Sequence, residues 1–314
     1  MSQTPLYSRL AIIGAGLIGS SIAHAVKAYG GASEVALYDA ESEVRDRAAR
    51  LLPGQVCDTL QDTVTQADCV LLCTPVGTLA ELTAHIAPFL AAGTTLSDVG
   101  SVKALAAEEM ATHCPEGVHL IPGHPIAGTE KSGPEAGFAS LFADSWHILT
   151  PQASTQSDYL AAVDQLAAFW TGLGAKVEFM TPARHDRVLA ITSHLPHLIA
   201  YNIVSTAYDM EQVEAGEVVK YSAGGFRDFT RIAASDPIMW RDVFLTNKDA
   251  VLETLGRFSE DLAALQRAIR WGDGDMLVKE FSRARGIRKA IIEAGMDIDA
   301  ADFGRRQTST ESEE

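Results

Sequence analysis

The sequence is poor in cysteine, in long apolar runs and in positive charge, and each shortage excludes something. Four cysteines stand in 314 residues, Cys57, Cys69, Cys73 and Cys114, and none forms a C-x-x-C pair, so neither a disulfide framework nor a zinc site is read from them. Cys69 and Cys73 fall in or beside an apolar run typical of a buried strand, which suits a reduced compartment. No apolar run reaches the ~18 residues of a membrane span, and the N-terminal MSQTPLYSRLAIIGAG has no basic segment leading to an apolar stretch and a small-residue cleavage site. The expectation is a globular protein that stays in the cytoplasm, without a membrane partner. Lys and Arg number 25 against 41 Asp and Glu, a net charge of -16 that repels phosphate backbones and argues against nucleic acid as a partner. There is no fixed-period repeat and no Pro/Gly/Ser-rich tether.

What is present is enough apolar material, 47% of residues, for one large or two ordinary domains. Strand and helix patterns alternate from the start. A strand at Arg9–Ile13 leads through glycines into a helix over 17–29; a strand at Glu34–Tyr38 precedes a polar helix over 42–52. The rhythm continues with strands at 69–73, 94–98 and 119–122 and helices over 76–89 and 102–113. This alternation predicts a doubly wound parallel sheet of the Rossmann type, extended by strands at 146–149 and 176–180 around a helix over 157–173. From 181 to about 294 only apolar-periodic helical stretches follow, at 189–210, 239–268 and 275–294. The expected layout is therefore a dinucleotide-binding domain over 1–180, an all-helical domain over 181–298, and a flexible tail over 299–314, where TSTESEE is too polar to pack.

GAGLIGSS, residues 14–21, fits G-x-G-x-x-G between a strand and a helix. Gly14 permits the sharp turn, Gly16 lets a pyrophosphate approach the backbone, and Gly19 allows close helix packing, while the first helical amides, at Leu17 and Ile18, face the phosphates. Asp39 ends the second strand about 20 residues further on, where a carboxylate accepts the ribose hydroxyls of NAD and repels the 2'-phosphate of NADP. FAD domains share this fingerprint. The further strand-helix units, with Thr74 and Pro75 ending the strand beside a nicotinamide, favour NAD.

Hydride transfer from a hydroxyl-bearing carbon needs a base for the hydroxyl proton, and histidine suits that near neutral pH. Of nine histidines, His124 in GHPIAG is expected at the C-terminal end of a sheet strand, where ligands of open α/β sheets bind; the plain alternative is a loop histidine satisfied by backbone. SHLPH at 193–197 places His194 and His197 on one helical face, with Pro196 disturbing the helix; two imidazoles without a third ligand are incomplete for zinc, so no metal is expected. GGFRDFTRIAASDPIMW at 224–240 contains Arg231, whose planar donors suit a substrate carboxylate, although a surface salt bridge would explain an arginine equally well.

Taken in order, GAGLIGSS with Asp39, then SDVGSVK, GHPIAGTEKSG, SHLPH and GGFRDFTRIAASDPIMWRDVFLTNK resemble the prephenate/arogenate (cyclohexadienyl) dehydrogenase family over roughly residues 8–298. The resemblance implies a Rossmann domain, a helical domain that forms a homodimer, and NAD-dependent oxidative decarboxylation of a cyclohexadienyl acid. It further implies His124 as the catalytic histidine, with Ser101 bonding both it and the substrate's ring hydroxyl. Arg231 would hold a substrate carboxylate, His197 would lie near the side-chain end, and Trp240 would wall the pocket. Glu130 and Asp228 match gating polar residues, Gly224 would approach the neighbouring subunit's site, and His194 is assigned to structure. The form implied is monofunctional, with neither an upstream mutase domain nor a C-terminal regulatory one.

Two rivals stay open. A β-hydroxyacid-type dehydrogenase needs a catalytic lysine in the helical region, for which Lys220, Lys248, Lys279 and Lys289 are available, none in a G-x-x-x-N-K motif. A non-catalytic NAD-sensing dimer is the other; intact Ser101, His124 and Arg231 speak against it.

Overall fold

The computed structural model describes residues 5–129, 131–213 and 223–293. Glu130 and the tail expected at 299–314 lie outside the described residues. The chain forms two compact units, Met1–Thr254 and Leu255–Glu314.

The first unit is built on six parallel strands: β1 (Tyr7–Ile13), β2 (Ala32–Tyr38), β3 (Gln55–Val56), β4 (Cys69–Leu72), β5 (Thr95–Asp98) and β6 (His119–Leu120). Their order is β3-β2-β1-β4-β5-β6, so the strand order reverses between β1 and β4, the crevice where open α/β sheets bind ligands. The period-2 geometry of a strand explains why these segments read as continuously apolar. Leu10, Ile12, Cys69 and Leu71 point into one core with Trp170 and Phe169, whereas Ala11, Ile13, Val70 and Leu72 point into the opposite core. The helices of this sheet are α1 (Leu17–Tyr29), α2 (Ser42–Leu51), α3 (Leu60–Val64), α4 (Leu79–Ile86) and α5 (Ala104–Ala111).

A second sheet departs from the sequence expectation. The strand expected over 119–122 stops at Leu120, and the chain re-pairs as β7 (Gly123–Pro125), antiparallel to β8 (Trp146–Leu149), which runs parallel to β9 (Lys176–Phe179). Pro122 has no N–H to offer the first ladder, and its carbonyl accepts from Thr150 N at 2.9 Å, which steers the chain into the second sheet. Helix α6 (Ser157–Gly172) connects β8 to β9, and its Leu166, Phe169 and Trp170 are fully buried against the first core.

After β9 the described chain is helical: α7 (Pro182–Leu189), a π-turn at Ala190–His194, α8 (Leu195–Val213), α9 (Gly224–Thr230), α10 (Pro237–Thr246), α11 (Lys248–Trp271) and α12 (Gly274–Glu293). The π-turn lies just before Pro196, whose ring would collide with a carbonyl one turn back in a regular α-helix; the wider turn relieves that conflict. The apolar stretch expected as one helix over 239–268 is two helices, broken at Asn247. Pro182–Met210 is long and apolar enough, by length and composition alone, to cross a membrane. Its first turns instead carry His185 and Asp186, which are buried and hydrogen-bonded to residues near the sheet. Trp240 and Val243 of α10 complete the sheet's second core beside Ile13, Leu72 and Val76, so the helical segment up to α10 is packed onto the strand edge that carries the crevice.

Candidate active site

The crevice begins at the glycine loop. Gly14 has φ +103°, and a Cβ there would lie 2.4 Å from the Cys73 carbonyl oxygen; a Cβ on Gly19 would lie 2.0 Å from the Gly14 carbonyl oxygen. Both positions therefore demand glycine, for the turn and for helix approach respectively. Gly16 differs: a Cβ there would meet nothing within 4 Å, and as the N-cap of α1 it supplies no side-chain cap. Open space thus faces the first helical amides, at Leu17, Ile18 and Gly19, which is what a diphosphate requires. The Asp39 carboxylate accepts from Ala15 N at 2.8 Å and from Glu41 N at 3.1 Å, which fixes it at the end of β2 beside the loop. Thr74 borders the loop, its methyl 3.2 Å from a Cβ built at Gly14, and the Thr78 hydroxyl donates to the Pro75 carbonyl at 2.8 Å. Loop and carboxylate together fit a dinucleotide with a free ribose diol.

At the same C-terminal ends of β4 and β5 the chain gathers buried charged groups. Lys103 is wholly buried, ion-paired with Asp98, and donates to the Gly123 carbonyl at 2.8 Å. Asp98 also accepts from Gly100 N at 2.8 Å and Gly123 N at 3.3 Å, so this pair locks the SDVGSVK loop to the residue preceding His124. Burial pulls the Lys103 ammonium below its usual range, opposed by Asp98. His124 itself is 9% exposed, in the middle of β7, and its Nδ1 lies 2.8 Å from Nε2 of His185. His185 Nδ1 lies 2.7 Å from Asp186 Oδ1, and that carboxylate accepts from Lys103 N and Ala104 N, both at 2.8 Å.

Electrostatics around His124 all oppose its protonation. Burial pushes its pKa well below 6.5, and His185, Lys103, His147 and His194 add to the effect. His147 is stacked on Trp170 with centroids 3.8 Å apart, and burial likewise depresses it. Desolvation alone would raise Asp186, but the bond from His185 and the amides of Ala104 and Lys103 outweigh it and hold the carboxyl below the usual range. A buried neutral imidazole linked through His185 to an anchored carboxylate is a candidate proton acceptor at neutral pH.

The second wall comes from the helices. His197 stacks on Trp240 with centroids 3.7 Å apart, and its Nδ1 donates to the Ser193 carbonyl at 2.9 Å. Burial lowers its pKa, a bond to Ser193 resists, and Arg231 lowers it further, which places that guanidinium in the same neighbourhood. Arg231 opens the short 3-10 turn after α9 and is exposed. His194, across from His197 on the Trp240 ring, is fully buried; Asn247 Nδ2 donates to the Asp186 carbonyl at 2.9 Å and contacts His194 Nδ1 at 3.1 Å. Burial takes the His194 pKa down to about 4.

The expected residues therefore fall in two places within one unit. His124, Ser101 and the glycine loop belong to the sheet edge; His197, Trp240, Arg231 and Asp228 belong to the helices that cover it. Ser101 is half-buried, two residues before Lys103, and lies by His194, whose ring senses its backbone. Gly224 opens α9 and is exposed. No group of three or more His, Cys, Asp or Glu among the described residues could hold a metal ion. Sequence reasoning missed His185, Asp186, Lys103, Asp98 and Asn247. Asp98 and Lys103 sat inside SDVGSVK and Asn247 inside the string ending in LTNK, while the adjacent His185–Asp186 pair at the start of an apolar helix was the signal for the other two.

Comparison with known proteins follows the same outline. Family profiles described as prephenate dehydrogenase, nucleotide-binding domain, and prephenate dehydrogenase, dimerization domain, match residues 22–179 and 181–283. A cyclohexadienyl dehydrogenase of Zymomonas mobilis is 43% identical over 91% of this chain and 97% of its own. A prephenate dehydrogenase of Bacillus subtilis is 32% identical over 89% of this chain and 75% of its own. The crystal structure of an Aquifex aeolicus prephenate dehydrogenase with hydroxyphenyl propionate and NAD+ superposes with a TM-score of 0.83 at 33% identity, covering 93% of this chain and 99% of that one.

Proposed function

The chain belongs to the prephenate dehydrogenase family, and from that premise we propose that it oxidatively decarboxylates a cyclohexadienyl acid, prephenate to 4-hydroxyphenylpyruvate or arogenate to tyrosine, using NAD. The observation that carries this reading is His124: a buried imidazole, kept neutral, next to Gly123, which Lys103 and Asp98 tie to the end of β5. NAD, when bound, supplies the hydride acceptor; the solved relative from Aquifex aeolicus was obtained with NAD+ and a hydroxyphenyl acid.

This chain's residues then divide the work. Gly14, Gly16 and Gly19 with the first amides of α1 receive the diphosphate, Asp39 the ribose diol, and Thr74 and Pro75 line the nicotinamide side. His124 takes the proton of the ring hydroxyl as the C–H electron pair leaves to NAD; the ring carboxylate departs as carbon dioxide, its bonding pair completes the aromatic ring and returns the C–O pair to oxygen, and His124 gives the proton back to that oxygen. Ser101 helps hold that hydroxyl. Arg231 and His197 hold the far carboxylate and side chain, Trp240 forms the wall, and Asp228 and Gly224 act at the pocket mouth. The exposed apolar side chains on the second unit, among them Leu262, Ile269, Trp271 and Phe281, suit a homodimer through the segment whose family profile is described as a dimerization domain. Work in the cytoplasm is consistent with the free thiols of its cysteines.

The test is formation of NADH at 340 nm with prephenate and arogenate in parallel, repeated with NADP. Turnover on either acid with a clear preference for NAD is the expected outcome, and Asp39→Asn should erode that preference by roughly tenfold, the loss of a charged hydrogen bond. NAD binding without turnover on either acid would overturn the reading in favour of a sensing module.

A further inference from the structure

The chain Asp186–His185–His124 has a consequence for which nitrogen of His124 is the base. Asp186 is an anchored carboxylate and only accepts, so the hydrogen at its 2.7 Å contact belongs to Nδ1 of His185. A neutral His185 then presents a lone pair at Nε2, and the hydrogen at the 2.8 Å contact must come from Nδ1 of His124. We propose that Asp186 and His185 are positioning residues that hold His124 as its Nδ1–H tautomer, so that Nε2 is the lone pair offered to the substrate hydroxyl. The proposal rests on the reading of His124 as the proton acceptor and adds to it the groups that make it one.

Three features support the assignment. Asp186 is fixed independently of the histidines, because both its oxygens accept the opening amides of α5, a helix with no acidic residue in its own first turn. Its backbone is fixed too, by Asn247 Nδ2 at 2.9 Å. His185 is fully buried, and burial holds it neutral against the pull of Asp186, which excludes the doubly protonated ring that would reverse the direction of both bonds. The groups facing the pair are Lys103 and Asp98 from the SDVGSVK loop, His147 from β8 and His194 from the π-turn; the cation and both imidazoles disfavour further protons.

The step balances within these atoms. The hydroxyl O–H bond breaks, Nε2–H forms, and the freed electron pair becomes the C–O double bond as hydride leaves. His124 becomes an imidazolium whose Nδ1–H still points at His185. Its charge is answered through His185 by the Asp186 carboxylate, and no second proton moves.

The tautomer is read directly by nitrogen-proton correlation spectra of full-length protein, labelled with 15N-histidine and saturated with NAD, with His124 assigned by loss of its signals in His124→Gln. The expected result at neutral pH is a protonated Nδ1 and an unprotonated Nε2; a proton on Nε2 would overturn the proposal. His185→Phe removes the acceptor without disturbing the amides that bind Asp186. In that variant His124 should shift toward the Nε2–H form and kcat should fall roughly 10²-fold, at the lower end of what loss of a base costs, with KM nearly unchanged. An unchanged tautomer with a lowered Tm would reduce His185 to packing and overturn the proposal. Because the spectrum needs no substrate, failure of turnover on both acids would sink the functional reading and leave the tautomer result standing.

Discussion

The two walls of the crevice are built on opposite principles. The wall around β7 is a closed network: His124, Lys103 and Asp98 from the sheet side and His185 and Asp186 from α7 are buried and bonded to one another or to backbone. The helical wall is looser: His197 and Trp240 stack, and Arg231 stands exposed beside them. Proton transfer demands a base whose protonation state is set before substrate arrives, which burial and fixed partners provide. Holding a carboxylate demands reach and access to solvent, which a long guanidinium at the rim provides. The difference teaches that chemistry and recognition are divided by wall, and substitutions should separate along that line.

The largest effect should follow from His124→Gln, which removes the base while leaving a polar group: kcat falls about 10²- to 10⁴-fold and substrate KM barely moves. A marked rise in KM alongside the fall in kcat would place His124 in binding and blur the division. Next comes Arg231→Ala, expected to raise KM by roughly tenfold to a hundredfold with a small change in kcat, the worth of a charged hydrogen bond or two. Arg231→Lys should restore only part of it, because one ammonium does not match a carboxylate in two places. Steady-state kinetics on the two variants would show whether each effect stays on its own side.

A smaller and more gradual effect concerns pH. His194 has a pKa near 4 in the folded protein against 6.5 when free, and His124, His147 and His185 are depressed in the same direction. Below pH 6.5 the unfolded chain binds more protons than the native one, so stability is full above that value and falls as pH drops toward 4, where the native protein protonates too. His194 alone accounts for up to about 3 kcal/mol across that window. Thermal melts from pH 7.5 to 4.5 should show a steady decline, less steep in His194→Gln. A melting temperature flat across that range would mean that the buried wall is wetter than its geometry implies.

Much of the fold was legible because it is written locally. The glycine loop, Asp39 and the alternation of strands and helices are patterns within a few dozen residues, and each lies where the spacing placed it. The second sheet was not legible, since β7 follows β6 after only two residues and pairs with a strand some twenty residues on; Pro122 was the one local sign. Nor was the network around His124, because Lys103 meets Asp186 across 83 positions and Asn247 meets it across 61. Asn247 broke a helix that apolar periodicity had drawn as continuous, for the periodicity carries no trace of an amide drawn to a distant carbonyl. Pro196, by contrast, announced its disturbance of the SHLPH helix, and the π-turn is the form it took.

Asp186 serves two masters at once, the opening amides of α5 and the imidazole of His185. In a mutational scan this position would register as intolerant by any assay, growth, yield or turnover, and no screen of a single trait could say why. It also constrains drift: a lineage able to give up the reaction would still retain this carboxylate for the helix. Persistence of an aspartate here in an inactive descendant would thus be a mark of architecture and not of surviving catalysis.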